Sequence, residues 1–516
     1  MPDCDSHRVR GGQVKRPLIA AVTVAATASA GAYLLVPEAS GSSSAALERA
    51  SYVTAAKKDL CPAAKRQMRG MWIATTQNID WPSKAGLSPA TQRAEYVKML
   101  DTAASRGINA VFVQVRPASD AIYRSSLEPW SQYLTGKAGK NPGWDPLPFL
   151  ISEAHKRGME FHAWFNPYRA AYSDNIAALP ANHPARQHPG WVVKHEGRLY
   201  YNPGLPSVRD HVTKVIMDVV NRYDIDGVHF DDYFYPYPGQ GTKFNDTAAF
   251  NKYRDGRSLA DWRRANVNQL VAQVDRAVHR AKPYLKFGIS PFGIWRNKSN
   301  DPTGSRTTGM SAYDAIYADP KAWIKAGTVD YLTPQLYWNR GFAAADYDVL
   351  VPWWANAVKG SGVDLYIGQG LYQIGTGGAW NRPNEIPSHL AVNKRYPEVK
   401  GDVYFSAKQV VQNPLKVMTR IDEEYYRRPA LLPLIKGLPT KPLGPVKNLR
   451  NAGGTLTWTG VPGARAYAVY RGSGNSCELV AVTTRSSFQT RANGSYQVTS
   501  LDRLYNESTP AAARVG

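Results

Sequence analysis

The chain has 516 residues, of which 43% are hydrophobic and 20% are charged, a balance that excludes wholesale disorder. Its 3 cysteines exclude a disulfide-dense scaffold and a multi-cysteine zinc module. The net charge of +22 favours polyanionic surroundings such as nucleic acid, anionic lipid or an acidic cell wall. Because the basic residues are scattered and no DNA- or RNA-binding motif is found, we expect no nucleic-acid partner.

The amino-terminal segment 1–40 has the pattern of a secretion signal. Several basic residues precede an uncharged apolar run over 17–36, and small residues follow it. A run of about 20 apolar residues can also span a bilayer, so a retained membrane anchor is the alternative. Both interpretations place the rest of the chain, which begins with a linker over 41–64, outside the cytoplasm. Only the second gives the protein a membrane partner.

Apolar strands that alternate with amphipathic helices predict an α/β fold, a (β/α)8 TIM barrel over 65–428. Short, nearly continuous apolar runs are typical of parallel strands that are buried on both faces. The eight runs are 70–75, 110–115, 160–165, 227–234, 286–292, 331–338, 365–371 and 402–407. Apolar stripes at helical spacing over 212–220 and 267–278 predict helices between them. A doubly wound open sheet is the alternative, although no G-x-G-x-x-G follows the first run.

The carboxyl-terminal part of the chain has a different pattern. Segment 429–445 contains prolines at the density of a semi-rigid linker. Short apolar runs between glycine-rich turns over 446–512 predict a small all-β sandwich, which resembles a fibronectin type III domain. If the signal is removed, Cys61 and Cys477 remain, and they either form a disulfide or stay as two thiols.

The active site of a (β/α)8 barrel lies at the carboxyl ends of its strands. Polar and aromatic residues follow most of the predicted strands, and this mixture suits carbohydrate, because amides and carboxylates bind hydroxyls and aromatic rings cover the sugar. The expected glycan-binding residues are Asp80, Trp81, Arg116, Trp164, Asn166, His229, Tyr233, Gln335, Tyr337 and Gln369. The alternative for the aromatic residues is packing in the core, and for His229 it is a buried histidine with satisfied hydrogen bonds.

The fourth predicted strand ends in two adjacent carboxylates, Asp231 and Asp232. Their structural alternative is a helix cap or an ion pair. Their functional interpretation is catalysis, because glycoside hydrolysis normally uses one carboxyl group as an acid and another as a nucleophile or base. Burial and a like-charged neighbour would raise the pKa of one of them, as an acid requires. No spacing of metal ligands is found, so we expect no metal and no other cofactor.

Four segments together resemble the glycosyl-hydrolase-like family 10 barrel of bacterial envelope proteins. They are RGMWIATTQNID from residue 69, VRP from 115 with DAIY from 120, WFNP from 164, and DGVHFDDYFYP from 226. The resemblance covers 65–428 and implies a (β/α)8 fold and glycosidase activity. Members with a known substrate imply peptidoglycan glycan strands, in particular strands stripped of peptides.

Two other barrel families are compared with the fourth strand. The D-G-x-R-x-D motif of alpha-amylase-type barrels has the spacing of 226–231, which matches Asp231 to the nucleophile and puts His229 in place of the arginine. The glutamate acid of that family has no counterpart here, and Tyr233 stands where chitinase-type barrels place theirs. The acid must therefore be another residue, and Asp232 and Asp120 are equal candidates.

These features predict a secreted or envelope-anchored glycoside hydrolase that acts on cell-wall glycan and is attracted to the anionic wall by its charge. Arg116 would bind a carboxylate of muramic acid bidentately, or else pair with a neighbouring aspartate. Two alternatives stay open. One is a glycosidase for another extracellular polysaccharide, and the other is a non-catalytic glycan-binding protein on a degenerate barrel.

Overall fold

The computed structural model describes residues 66–239, 241–439, 443–472 and 476–515. The predicted signal or anchor over 1–40 and the linker over 41–64 lie outside these residues. None of the helices in the described ranges is long and apolar enough to cross a membrane.

Strands and helices alternate through most of the chain, and strands alone form its carboxyl-terminal part. The strands are β1 (Met68–Ile73), β2 (Ala110–Arg116), β3 (Glu160–Phe165), β4 (Arg169–Ala171), β5 (Val192–His195), β6 (Arg198–Tyr201), β7 (Gly227–Phe230), β8 (Lys286–Ile289), β9 (Tyr331–Leu332), β10 (Gln335–Leu336), β11 (Asp364–Gln369), β12 (Val399–Tyr404), β13 (Lys447–Ala452), β14 (Thr455–Thr459), β15 (Ala466–Arg471), β16 (Glu478–Thr483), β17 (Ser487–Gln489), β18 (Gly494–Leu501) and β19 (Ala511–Val515). The helices are α1 (Pro89–Ser105), α2 (Gln132–Thr135), α3 (Pro146–Lys156), α4 (Pro184–Gln187), α5 (Pro206–Arg222), α6 (Thr247–Tyr253), α7 (Leu259–Ala281), α8 (Ala312–Ala315), α9 (Pro320–Ala326), α10 (Tyr347–Val358), α11 (Glu385–Asn393), α12 (Ala407–Gln412) and α13 (Val417–Glu424).

A closed parallel barrel of eight strands is formed within the described ranges, which confirms the predicted fold. β1 pairs with β2 and β12, and the order continues through β3, β7, β8, β9 and β11. The sixth barrel strand has two parts, because β9 pairs with β8 and β11, and β10 then continues along β11. The pairing of β9 with β11 closes the sheet, so the open-sheet alternative is wrong.

The two apolar stripes predicted between strands are confirmed as helices on the outside of the barrel. α5 buries Val212, Val215 and Val219 on one face, and α7 buries Val267 and Val274 in the same way. Residues at spacings of three and four lie on one side of a helix, so each stripe packs against the barrel and leaves its polar face to solvent.

A small antiparallel sheet follows β3 and was not expected from the sequence. Its order is β4-β6-β5, and it pairs Arg169 with Tyr200. Strands of three or four residues are too short to show a clear alternation of apolar and polar residues, which is why the sequence pattern missed them. The sheet stands at the carboxyl end of β3, where it fixes the backbone of Arg169.

The carboxyl-terminal part forms two antiparallel sheets, in agreement with the predicted all-β fold. Their strand orders are β13-β14-β17 and β16-β15-β18-β19. Leu456, Trp458, Tyr467 and Val498 are buried between them. The likeness to a fibronectin type III domain stays a prediction.

This all-β part packs against the face of the barrel where the strands begin. Arg465 and Arg503 donate to Asp226 Oδ1 at 2.9 and 3.3 Å, immediately before β7. Tyr505 donates to the carbonyl of Gly158 at 2.6 Å, near the start of β3. Burial raises the pKa of Asp226, but hydrogen bonds and the positive charges of His155 and the two arginines lower it well below its usual range.

The predicted proline-rich linker takes part in this contact over its first residues. Leu431 and Leu432 are fully buried, and Gln67 donates to the carbonyl of Leu431 at 2.8 Å. Cys477 is disulfide-bonded. The other two cysteines, Cys4 and Cys61, lie outside the described residues.

Removal of both arginines that face Asp226 would leave a buried carboxylate with less compensating charge. For Arg465→Ala combined with Arg503→Ala, we expect the free energy of unfolding to fall by about 3 kcal/mol. Urea unfolding followed by tryptophan fluorescence measures the change. Arg450→Ala, at an exposed position of β13, is the control and should change stability little. An unchanged midpoint in the double variant would contradict a stabilising role for this contact.

Candidate active site

Asp231 and Asp232 lie side by side at the open end of the barrel. β7 ends at Phe230, and the side chains of the two aspartates are 7% and 1% exposed. The Asp232 N–H donates to Asp231 Oδ1 at 2.8 Å, so the backbone turns here and does not continue the strand. Side chains on a continuing strand would point to opposite faces. Because the strand has ended, the two carboxyl groups meet and share a hydrogen bond.

Side chains from other loops hold each carboxyl group in place. Gln335 Nε2, at the start of β10, donates to Asp231 Oδ1 at 3.2 Å and to the carbonyl of Ser290 at 2.9 Å. The Tyr237 hydroxyl donates to Asp232 Oδ2. Tyr237 follows the same strand as the pair and Gln335 belongs to the sixth barrel strand, so two parts of the barrel bind the two carboxyl groups.

Burial and mutual repulsion raise the pKa of both aspartates. For Asp231, burial is the largest cause, and the negative charge of Asp232 raises its pKa further. For Asp232, burial again raises the pKa, but hydrogen bonds from Asp231, Tyr237 and Gln335 oppose the increase. Two carboxyl groups in contact cannot both ionise easily. The pair can therefore supply one carboxylic acid and one carboxylate, the two forms that glycoside hydrolysis normally uses.

A row of half-buried aromatic rings extends from the carboxylate pair along the barrel mouth. Tyr233 and Tyr237 have ring centroids 5.4 Å apart, Tyr237 and Phe292 are 6.1 Å apart, and Phe292 and Trp338 are 5.4 Å apart. In a second group, Tyr337 stacks on Phe405 at 6.0 Å and has its edge against Tyr372. Exposed aromatic faces beside polar groups are suited to bind the apolar faces of sugars.

The expected residues Gln335, Tyr233 and Tyr337 are thus brought to the mouth with the two aspartates. Trp338 follows the sixth predicted strand and could be expected to stack on sugar, whereas Tyr237 and Phe292 were not among the expected site residues. The tyrosine-rich run after β7 and the aromatic residue after β8 were the available signal for these two.

Arg116 does not reach the open mouth. It is fully buried and pairs bidentately with Glu128, with Nε–Oε2 at 2.8 Å and Nη2–Oε1 at 2.6 Å. Burial raises the pKa of Glu128, but the Arg116 guanidinium and His211 lower it to about 2. Of the two alternatives for Arg116, the structure therefore shows the ion pair, with a glutamate, and not a site for a substrate carboxylate.

Three more of the expected residues have structural partners. Asp80 accepts hydrogen bonds from Ala74 N at 2.8 Å and Ser406 Oγ at 2.6 Å, which connect the end of β1 to the end of β12. Trp81 is fully buried and donates to the carbonyl of Gln92. Gln369, also fully buried, donates to Asp402 at 2.8 Å. These contacts place the three side chains in the framework of the barrel.

Asp120, an equal candidate for the acid, lies apart from the carboxylate pair. It accepts from Ala118 N at 3.0 Å and is hydrogen-bonded to Ser131 in its own loop. Burial raises the pKa of Asp120 to about 6. Such a pKa suits an acid, but the structure does not join Asp120 to Asp231 or Asp232.

Trp164 and Asn166 form a buried pair near the end of β3. Trp164 Nε1 donates to Asn166 Oδ1 at 2.9 Å, and Asn166 Nδ2 donates to the carbonyl of Pro117 at 3.3 Å. Both side chains are buried. These contacts satisfy the indole N–H and leave little of either side chain for a ligand.

His229 is a buried histidine inside the barrel. Trp72 Nε1 donates to His229 Nε2 at 3.1 Å, and His229 Nδ1 lies 3.2 Å from the Tyr331 hydroxyl. Because an indole only donates, His229 must accept at Nε2 and carry its proton on Nδ1. Burial lowers the pKa of His229 well below its usual range, so the ring is neutral.

Removal of the His229 imidazole would leave the Trp72 N–H and the Tyr331 hydroxyl without this partner in the barrel interior. We expect His229→Leu to lower the free energy of unfolding by about 2–4 kcal/mol, because each orphaned buried group costs about 1–3 kcal/mol. Chemical unfolding measures the change, and His188→Leu at an exposed position is the control. Equal stability of the two variants would contradict the assigned hydrogen bonds.

The described residues contain no group of three or more His, Cys, Asp or Glu side chains that could hold a metal ion. The site consists of a buried carboxyl pair, an amide and a row of aromatic rings at the carboxyl ends of the strands of a closed (β/α)8 barrel. Fold and site together define the class of glycoside hydrolase-like barrels.

Comparison with known proteins assigns the family. Residues 67–384 match the family described as Glycosyl hydrolase-like 10, and the chain belongs to it. It is 46% identical to Glycosyl hydrolase YngK of Bacillus subtilis over 470 residues, which cover 86% of this chain and 92% of that protein. It is 42% identical to Glycosyl hydrolase DigH of Escherichia coli K12 over 354 residues, 65% of this chain and 79% of that protein.

A solved structure with a similar fold is the PgaB glycoside hydrolase domain of Bordetella bronchiseptica. Its sequence identity is 13% and its TM-score is 0.47, with 69% of this chain and 98% of that domain covered.

Proposed function

We propose that this protein is a glycoside hydrolase that cleaves the glycan strands of the bacterial cell wall outside the cytoplasm. The observation that carries the proposal is the Asp231–Asp232 pair, two buried carboxyl groups in contact beside a row of aromatic rings. Membership of a glycosyl hydrolase-like family supports the reaction. The secretion-type segment 1–40 and the net charge of +22 support an anionic wall as the place of action.

Asp231 is the general acid in this proposal. It holds the proton of the pair and gives it to the glycosidic oxygen as the bond from C1 to that oxygen breaks. Asp232 stays ionised and stabilises the positive charge that develops on the sugar. The low exposure of the pair strengthens this attraction, because charges interact more strongly away from water.

The contact between the two carboxyl groups limits the choice of mechanism. Retaining enzymes with a carboxylate nucleophile separate their two carboxyl groups by about 5–5.5 Å, and inverting enzymes by about 6.5–9.5 Å. Asp231 and Asp232 are hydrogen-bonded and therefore closer than either class. They are placed to act on one side of the reacting bond and not on opposite faces of a sugar ring.

A substrate that supplies its own nucleophile needs no second carboxyl group on the opposite face of the sugar ring. The carbonyl oxygen of a 2-acetamido group would attack C1 while Asp231 protonates the departing oxygen, and Asp232 would accept the acetamido N–H. Water would then add to C1 and return a proton to Asp231. Substrate-assisted hydrolysis of this type requires 2-acetamido sugars, which form the glycan strands of the wall.

The first test is product analysis with the chain from residue 51 to its end. Amidase-stripped glycan strands and intact peptidoglycan would be incubated with the protein, and soluble products identified by mass spectrometry. We expect muro-oligosaccharides from the wild type and a decrease in kcat of about 10²- to 10⁴-fold in Asp231→Asn and Asp232→Asn. Asp101→Asn, an exposed carboxylate on α1, is the matched control and should retain activity.

Release of no product from either substrate would contradict the proposed reaction. If the protein also sedimented with the wall, a non-catalytic glycan-binding role on the same barrel would replace it. If products were released only from other extracellular polysaccharides, the proposed substrate would be wrong, but the proposed glycoside hydrolase activity would stand.

Removal of the acetyl groups tests the nucleophile separately. Strands that are chemically de-N-acetylated should be cleaved at least about 100-fold more slowly than the parent strands, because the attacking carbonyl is absent. A cyclic thiazoline of N-acetylglucosamine, which imitates the expected intermediate, should inhibit competitively. Equal rates on both strands, measured as reducing ends released, would contradict substrate assistance but not glycosidase activity.

A further inference from the structure

Arg169 is a buried cation beside the carboxylate pair. Its side chain begins on β4 and is 4% exposed. The guanidinium lies between two tyrosine rings, 4.7 Å from the centroid of Tyr172 and 4.4 Å from that of Tyr233. Tyr233 directly follows Asp231 and Asp232 in the chain, so its contact with the guanidinium places Arg169 beside the carboxylate pair, and the charge of Arg169 lowers the pKa of Asp231.

The hydrogen-bond capacity of Arg169 is only partly used by the protein, and Tyr172 is the hydrogen-bond partner of its side chain. Its Nε–H is buried and has no partner, and no carboxylate of the described residues forms an ion pair with it. Arg116 and Arg263, two other buried arginines, each have a bidentate carboxylate, Glu128 and Asp246 respectively. A buried charge without a direct partner is costly, so the difference indicates a partner that arrives with the ligand.

The geometry around Arg169 favours one class of ligand. Aromatic rings that pack against a guanidinium leave N–H groups at its edge for other partners, and the Nε–H of Arg169 is one that no protein group uses. Those N–H groups form a planar fork that matches a carboxylate with two parallel hydrogen bonds. A neutral hydroxyl would satisfy a single N–H and leave the charge uncompensated.

We propose that Arg169 binds a carboxylate of the substrate and selects glycan strands that carry one. The inference rests on the proposed function, which supplies the hydrolysis of glycan strands at this site, and it adds how the substrate is recognised. Two sugar chemistries provide such a group: the lactyl ether of N-acetylmuramic acid and C6 of a uronic acid. In a peptide-bearing strand the lactyl carboxyl is an amide without charge, so Arg169 would favour strands from which the peptides have been removed.

Paired substrates test the selection. Amidase-stripped strands would be compared with the same strands after their lactyl carboxylates are converted to methylamides. For the wild type, we expect kcat/KM to be about 10- to 100-fold higher on the free carboxylate, as expected for a charge-assisted bidentate contact. In Arg169→Gln the ratio between the two substrates should fall to about 1, mainly through KM. Arg169→Lys should keep part of the preference, since it keeps the charge but loses the fork.

The control for charge and folding is Arg222→Gln on α5, which removes one positive charge from the outside of the barrel. It should keep the wild-type ratio. Thermal unfolding of each variant checks that the fold is retained. An Arg169→Gln variant that loses kcat equally on both substrates, with a changed pH profile, would overturn the inference and assign Arg169 to positioning of the aspartates.

A binding measurement separates this inference from the proposed reaction. Calorimetry with Asp232→Asn would use the disaccharide of N-acetylglucosamine and N-acetylmuramic acid, its methylamide, and a disaccharide with glucuronic acid. Tighter binding of a disaccharide with a free carboxylate, abolished by the additional change Arg169→Gln, supports recognition even if no strand is cleaved. The affinities of the two acidic disaccharides then show whether the muramic acid or the glucuronic acid is preferred. Equal affinity for all three disaccharides would overturn the inference even if the enzyme cleaves stripped strands.

Discussion

One chain of buried hydrogen bonds organises the barrel interior, and the position of the site depends on it. The chain leads from the beginnings of the strands towards the mouth through Lys286, Glu160, His162, Tyr331, His229 and Trp72. Lys286 and Trp72, at the two ends of the chain, can only donate hydrogen bonds. Each polar atom between them therefore has a fixed role, as donor or as acceptor, in every hydrogen bond of the chain. The polar atoms of a dry interior are thereby satisfied, and the strands that carry them are held in register.

The same chain reaches the carboxylate pair. Ser290 lies 3.1 Å from His229 Nε2, and its carbonyl accepts from Gln335, which also donates to Asp231. The raised pKa values of the two aspartates thus depend on a rigid, water-poor framework. In water the two carboxyl groups would both ionise at neutral pH, and the acid would be lost.

The two ends of the barrel have separate roles. The all-β part covers the end where the strands begin, through contacts that converge on Asp226. The opposite end carries the aspartates, the aromatic row and Arg169, which the small sheet after β3 supports. In the described residues the two functions of the barrel are thus separated, with the domain contact where the strands begin and the candidate site in the loops where they end.

The sequence by itself determined the barrel, its eight strands and the carboxylates after the fourth, because apolar periodicity and strand-end motifs are local patterns. It could not distinguish Arg116 from Arg169, or exclude Asp80 from the site. Glu128 neutralises Arg116 in the fold, Arg169 depends on the pairing of β4 with β6, and Asp80 is held by Ser406, 326 residues away. Which charge is neutralised and which is left for a ligand depends on long-range neighbours, and only the tertiary structure decides those.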